Sequence, residues 1–122
     1  MSNPRIPILV VEDVALISMR IVDDLEQAGF TVFEAASSAQ AVEALIANET
    51  IQLLFTDVGM PGGIDGLKLV ATVRDRWPAI KIIVTSGHRK VDVALLPVEA
   101  RFMAKPYDPV AVILSIREMT AL

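Results

Sequence analysis

Three apolar runs in this chain each stop at a charged residue. Ile6-Pro7-Ile8-Leu9-Val10-Val11 stops at Glu12-Asp13, Ile51-Gln52-Leu53-Leu54-Phe55-Thr56 stops at Asp57, and Arg101-Phe102-Met103-Ala104 stops at Lys105-Pro106. Short runs rich in Val, Ile and Phe read as buried strands. If the three are parallel neighbours, their C-terminal ends meet on one edge of a sheet. Three carboxylates and one ammonium then converge in one crevice, at the edge where open α/β sheets bind ligands. Carboxylates held together repel one another, so the cluster calls for a cation.

The rest of the chain supports a parallel sheet. Ile17, Ile21 and Leu25 are spaced as one face of a helix from about Val14 to Ala28, with Gly29 just past its end. A second strand is expected over Thr31–Ala35. Ser37 and Gln40 are spaced as a capping box, opening a second helix that runs to about Asn48. The third strand is expected over Ile51–Thr56, then a loop containing Pro61-Gly62-Gly63. Asp65 suits the cap of a third helix, Gly66 to about Arg76, bounded by Pro78. A fourth strand is expected over Ile80–Thr85 and a fifth over Arg101–Ala104. Asp108 and Pro109 open a last helix, to about Met119. Strand and helix thus alternate, which implies a parallel sheet with helices on both faces. The weak link is His88 to Ala100, whose one apolar cluster, Val93-Ala94-Leu95-Leu96, is closed by Pro97. A short or irregular fourth helix is expected there, about five helices in all.

Composition removes several classes. The chain has 122 residues, enough for one domain with one core, and 53% of them are apolar. A net charge of −4 and a pI near 4.9 argue against nucleic-acid binding by the domain itself. With no cysteine there is no disulfide framework and no thiolate metal site. No run is long enough to span a membrane, and the N-terminus has no secretory pattern, so a cytoplasmic protein is expected.

Four motifs, in order, carry a family resemblance: Val10-Val11-Glu12-Asp13, Thr56-Asp57-Val58-Gly59-Met60-Pro61-Gly62, Thr85-Ser86-Gly87-His88, and Lys105-Pro106. Each is weak alone. Together, in this order and at strand ends, they resemble the receiver domain of response regulators in two-component signalling. The resemblance covers the chain as a single domain from Ile6 to about Met119. It implies a flavodoxin-like doubly wound sheet of five parallel strands in the order 2-1-3-4-5.

The resemblance also implies roles. Asp57 would be the phosphoacceptor, since a carboxylate can act as nucleophile and form a mixed anhydride with phosphate. Asp13 and Asp57 would supply carboxylate oxygens, and Gly59 its backbone carbonyl, to Mg²⁺ or Mn²⁺, with Glu12 acting through a metal-bound water. Glu12 and Asp13 also suit the start of a helix, whose dipole favours negative charge. Lys105 would present a point charge to the phosphoryl oxygens, and a cis bond is implied before Pro106. Thr85 and Ser86 are adjacent and point to opposite sides of a strand, so one of them faces the phosphate. Alignment from Asp65-Gly66 through Trp77-Pro78 selects Ser86. Phe102 matches an aromatic position that changes rotamer on activation in the family, and equally suits an ordinary strand aromatic packed on a helix. His88, two after Ser86, and Gly59, two after Asp57, are positions where receivers vary.

The chain departs from the commonest pattern in three places. Val14 stands where a polar residue is frequent, Gly62-Gly63-Ile64 holds one residue more, and the segment before Phe102 is short. These leave the phosphorylation motifs intact and bear on the partner surface. The expected function is a phosphorelay receiver, with a sensor histidine kinase or histidine phosphotransfer protein as donor and a downstream protein as target. Enzyme activity is expected only toward its own aspartyl-phosphate. Homodimerisation, and whether the receiver stands alone or was cut from a larger regulator, are left open. The rival of another class is a phosphohydrolase of the haloacid-dehalogenase type. Such enzymes place two acids as Asp-x-Asp after strand one, whereas this chain has Glu12-Asp13-Val14 and no cap insertion. A third reading, a pseudo-receiver used only for binding, sits poorly with Asp13, Asp57, Ser86 and Lys105 all in place.

Overall fold

Apolar runs too far apart for hairpins must be joined by crossovers, and crossovers make neighbouring strands parallel. The computed structural model describes residues 5–58, 64–87 and 100–121. In it β1 (Pro7–Val11), β2 (Thr31–Ala35), β3 (Leu53–Asp57), β4 (Lys81–Ser86) and β5 (Arg101–Ala104) form one sheet of order β2-β1-β3-β4-β5. Every pairing is parallel. The helices among the described residues are α1 (Ala15–Gln27), α2 (Ser38–Ala47), α3 (Ile64–Arg76) and α4 (Pro109–Thr120). The fourth helix expected before β5 falls, apart from Ala100, outside the described residues, as does the loop 59–63. The chain steps one way from β1 to β2 and the other way from β3 through β5. The reversal opens a crevice at the C-terminal ends of β1 and β3.

Strand alternation divides the core into two layers. Leu9, Val11, Leu54, Ile82 and Val84 pack with Ala41 and Leu45 of α2 and with Leu69, Val70 and Val73 of α3. Ile8, Val10, Leu53, Phe55 and Ile83 pack with Ile21, Val22 and Leu25 of α1 and with Val112 and Ile116 of α4. The three inner strands are therefore apolar on both faces, which is why their sequences read as unbroken runs. The edge strands β2 and β5 are only part-buried, and Arg101 at the start of β5 is exposed.

Several boundaries differ from the sequence reading, each for a local reason. The runs expected to begin strands at Ile51 and Ile80 begin them at Leu53 and Lys81. The Ile51 N–H donates to Asn48 O at 3.3 Å and the Ile80 N–H to Trp77 O at 3.0 Å, so both isoleucines close turns. The same strands run one residue later than expected, to Asp57 and Ser86. On α1 the buried residues are Ser18, Ile21, Val22 and Leu25, and Ile17 is only half-buried. At its end Gly29 takes a left-handed φ of 99°, and the Phe30 N–H returns to Leu25 O at 3.1 Å. Ser37 caps α2 by accepting from the Gln40 N–H, while the Gln40 side chain reaches one residue past it to the Ala36 N–H. Asp108 caps α4 at the Val110 N–H.

The third helix begins at Ile64, so Asp65 lies within its first turn and is not the cap residue. Gly66 is there for proximity. A Cβ at this position would stand 2.6 Å from Val58 Cα and 3.2 Å from Asp57 O. Its absence lets α3 lie directly on the segment that follows β3. Gly66→Ala is expected to destabilise the fold by about 1–3 kcal/mol, as overpacking does where the obstacle is backbone. Leu25→Ala, a cavity mutation in the other layer, is expected to cost about 2–5 kcal/mol. Urea unfolding followed by circular dichroism measures both, and a neutral Gly66→Ala would contradict the close approach.

Candidate functional site

The residues of the crevice stand on rungs that continue the sheet beyond its strands. The Glu12 N–H donates to Ala35 O at 3.1 Å, the Val58 N–H to Thr85 O at 2.9 Å, and the Lys105 N–H to Ser86 O at 3.1 Å. These bonds fix the backbone at Glu12, just after Asp57, and at Lys105. Glu12 and Asp57 are 4% and 5% exposed, while Asp13 is exposed. The structure thus brings Glu12, Asp13, Asp57 and Lys105 together, while Gly59 and His88 lie outside the described residues.

Lys105 is the hub of the charge pattern. Its Nζ donates to Glu12 Oε1 at 2.5 Å and to Asp57 Oδ2 at 2.8 Å, spanning from the end of β5 to β3 and β1. The other Glu12 oxygen accepts from the Val14 N–H at 3.1 Å. Val14 is the N-cap residue of α1 and has no capping side chain, and Glu12 satisfies the N–H of that residue itself. Burial alone would lower the Lys105 pKa, but its hydrogen bonds to Asp57 and Glu12, and their charges, hold it above the ordinary lysine value. Burial pushes the Glu12 carboxyl up, and the bonds from Lys105 and Val14 oppose this without cancelling it.

One carboxylate oxygen from each of Glu12, Asp13 and Asp57 lies within 4.8 Å of the others. Among the described residues, three acids against one ammonium leave an excess of negative charge. All the donors are hard oxygens, and one of the acids is open to solvent. This set fits Mg²⁺ or Mn²⁺, which take carboxylate oxygens and keep several waters.

The backbone separates the two candidate hydroxyls. Asp57 pairs with Thr85, and Ser86 pairs with Ala104. Thr85 follows Ile83 by two residues and so shares the face toward α1 and α4. Its Oγ1 is buried and has no hydrogen-bond partner among the described residues. Ser86 follows Val84 on the opposite face, where Phe102 also packs, and is 3% exposed. Phe102 pairs with Val84, which makes it the diagonal neighbour of Ser86. The Lys105–Pro106 peptide bond is cis.

Tyr107 is a residue of the site region that motif reading passed over. With Gly87, Lys105, Pro106 and residues of α1 it lines a cleft of about 450 Å³. Its ring meets Phe55 edge-on, with centroids 5.4 Å apart. The clue in the sequence was its place, two residues after Lys105. The phenol pKa is pushed up to about 12, first by burial and then by the Glu12 carboxylate, with Lys105 opposing. An unfolded phenol ionises near pH ~10, so this group's stabilisation is present below that pH. It is lost as pH rises toward about 12. The chain has one tyrosine, which makes an ultraviolet absorbance titration unambiguous. The native protein is expected to show its phenolate step well above the ordinary tyrosine range and Tyr107→Phe none. An ordinary midpoint in folded protein would contradict the described environment.

Comparison with known proteins accords with this geometry. The sensor kinase CckA of Brucella abortus is 34% identical over 117 residues, covering 92% of this chain and 12% of that protein. The response regulator protein FleR of Pseudomonas aeruginosa is 31% identical over 104 residues, covering 83% of this chain and 22% of that protein. The chain therefore spans less than a quarter of either. Among solved structures, the signal receiver domain of an HD domain-containing protein from Pseudomonas fluorescens Pf-5 superposes with a TM-score of 0.85 at 25% identity. The match covers 95% of this chain and 94% of that one. The family model of the response regulator receiver domain matches residues 8–117, and the chain belongs to that family.

Proposed function

We propose that the domain accepts a phosphoryl group on Asp57 from a phosphohistidine of a sensor kinase or histidine phosphotransfer protein, and thereby changes its binding to a downstream protein. The observation that carries this reading is the Lys105 ammonium bonded to Asp57 at the topological reversal of the sheet, inside a cluster of acids. An Asp57 oxygen would attack phosphorus as the P–N bond breaks, and the imidazole would leave with the bonding electrons. A divalent cation held by Asp13 and Asp57, by Glu12 through water and by the Gly59 carbonyl would offset charge on the phosphoryl oxygens. Lys105, already beside Asp57, supplies a second positive charge without needing to cross the site. The phosphoryl brings three acceptor oxygens. Ser86 and Lys105 are the donors that would turn toward them, and Phe102, diagonal to Ser86, would move with it. The whole chain would act as one receiver unit.

Asp57 is expected to be the sole phosphorylated residue. With acetyl phosphate and Mg²⁺, intact mass should show one phosphoryl adduct in the wild type and none in Asp57→Asn. An adduct that persists in Asp57→Asn would sink the assignment. In a structure with beryllofluoride on Asp57, the Ser86 hydroxyl is expected within hydrogen-bond distance of the fluoride; Thr85 in that place would refute the choice between the two.

A further inference from the structure

We propose that Tyr107 and Thr85 form a latch on the α1 and α4 side of the sheet: the phenol turns inward from the cleft it lines and donates a hydrogen bond to the buried hydroxyl of Thr85. The inference goes beyond the phosphoacceptor reading, in which neither Thr85 nor Tyr107 has a part. It starts from a hydroxyl out of place. Thr85 is 1% exposed, and its Oγ1 has no hydrogen-bond partner among the described residues. A buried hydroxyl left in that state is costly, and the layer around it is built of aliphatic and aromatic side chains. Other polar groups nearby are engaged elsewhere. Ser18 of α1 donates to Glu34, and Asp57, directly beside Thr85 on β3, accepts from Lys105. The Tyr107 hydroxyl, by contrast, holds no hydrogen bond among the described residues.

The sheet sets the route between the two. Tyr107 follows β5, yet its ring meets Phe55 of β3 edge-on with centroids 5.4 Å apart. β4 lies between those strands, so the phenol spans β4 on the face from which Thr85 projects. Phe55 pairs with Ile83, two residues before Thr85, which makes Thr85 its diagonal neighbour, at a separation that aromatic side chains bridge. Side-chain torsions of Tyr107 therefore suffice to bring the two hydroxyls together. In the position seen, the phenol lines the cleft of about 450 Å³ with Ile17, Arg20 and Pro106. Turned inward, it satisfies Thr85 and withdraws from the cleft, which thereby has two shapes. Phe102, on the opposite face, carries no hydroxyl, so a hydroxyl-to-hydroxyl latch belongs to this side of the sheet.

Nuclear magnetic resonance of the full chain with carbon-13 in the tyrosine ring tests the latch, and the chain's one tyrosine makes the signal unambiguous. The wild type should report two exchanging ring environments. In Thr85→Val, which keeps the side-chain shape and removes the acceptor, the inward share should fall several-fold. Thr85→Ser, which keeps the hydroxyl, should retain it. A single environment, or two whose shares ignore Thr85→Val, would overturn the proposal. A crystal structure of the unaltered chain supplies a second test that needs no variant. Tyr107 Oη within hydrogen-bond distance of Thr85 Oγ1, in one conformer at least, is the expected result. A water bonded to Thr85 Oγ1, with Tyr107 only in the position described, also overturns the proposal. Neither measurement involves phosphate, so a failure of Asp57 to accept a phosphoryl group would leave both results readable.

Discussion

The reach of one side chain across three strands organises this end of the molecule. Lys105 leaves β5, passes the end of β4, and meets Asp57 of β3 and Glu12 beyond β1. Glu12 and Asp57 are nearly buried, and charges in such places are tolerated when paired and hydrogen-bonded. Removing one partner of a buried pair costs about 3–5 kcal/mol. The sheet order is what makes the span possible, since it lines up the ends of β1, β3 and β5 along one edge. The cis bond at Lys105–Pro106, the glycine at 87 and the ladder bond from Lys105 N to Ser86 O all bear on the same lysine.

Much of this architecture was legible in the sequence because the inner strands are buried on both faces. A strand with helices above and below must be apolar at every position, so Ile8–Val11 and Leu53–Phe55 stood out as runs. The charged residues that end those runs marked the edge where they meet. The limits of those elements were less legible, because an apolar residue can close a turn as well as extend a strand, as Ile51 and Ile80 do. Helical spacing likewise grouped Ile17 with Ile21 and Leu25, yet Ile17 is only half-buried while the other two lie in the core. Periodicity reports which face a residue is on, not what covers that face.

Two features of the site could not be read from residue types at all. Nothing in Glu12-Asp13-Val14 tells that a single carboxylate serves both a lysine three strands along the sheet order and the N-cap residue of α1. Nor does Gly66 announce itself as a contact, since Asp-Gly reads equally well as a helix start; only the 2.6 Å approach to Val58 shows what the glycine is for. Both depend on distances between segments remote in sequence, and motif spacing does not record such distances. Tyr107 belongs with them, because its environment is made by Phe55 and by groups from β1, β3 and β5.

The rungs that extend the sheet past its strands have a mechanical consequence. Glu12, Val58 and Lys105 each hang from a neighbouring strand by a backbone bond, so on these sides the side chains of the crevice are mounted on a plate and not on a spring. A plate of parallel strands, clamped by helices on both faces, yields little when a charge is added to it. The proposed chemistry at this edge would then be absorbed by torsions of the mounted side chains and passed outward by what they push or release. The stiffness of the support thereby becomes the amplifier: the less the sheet gives, the more of each event reaches the periphery.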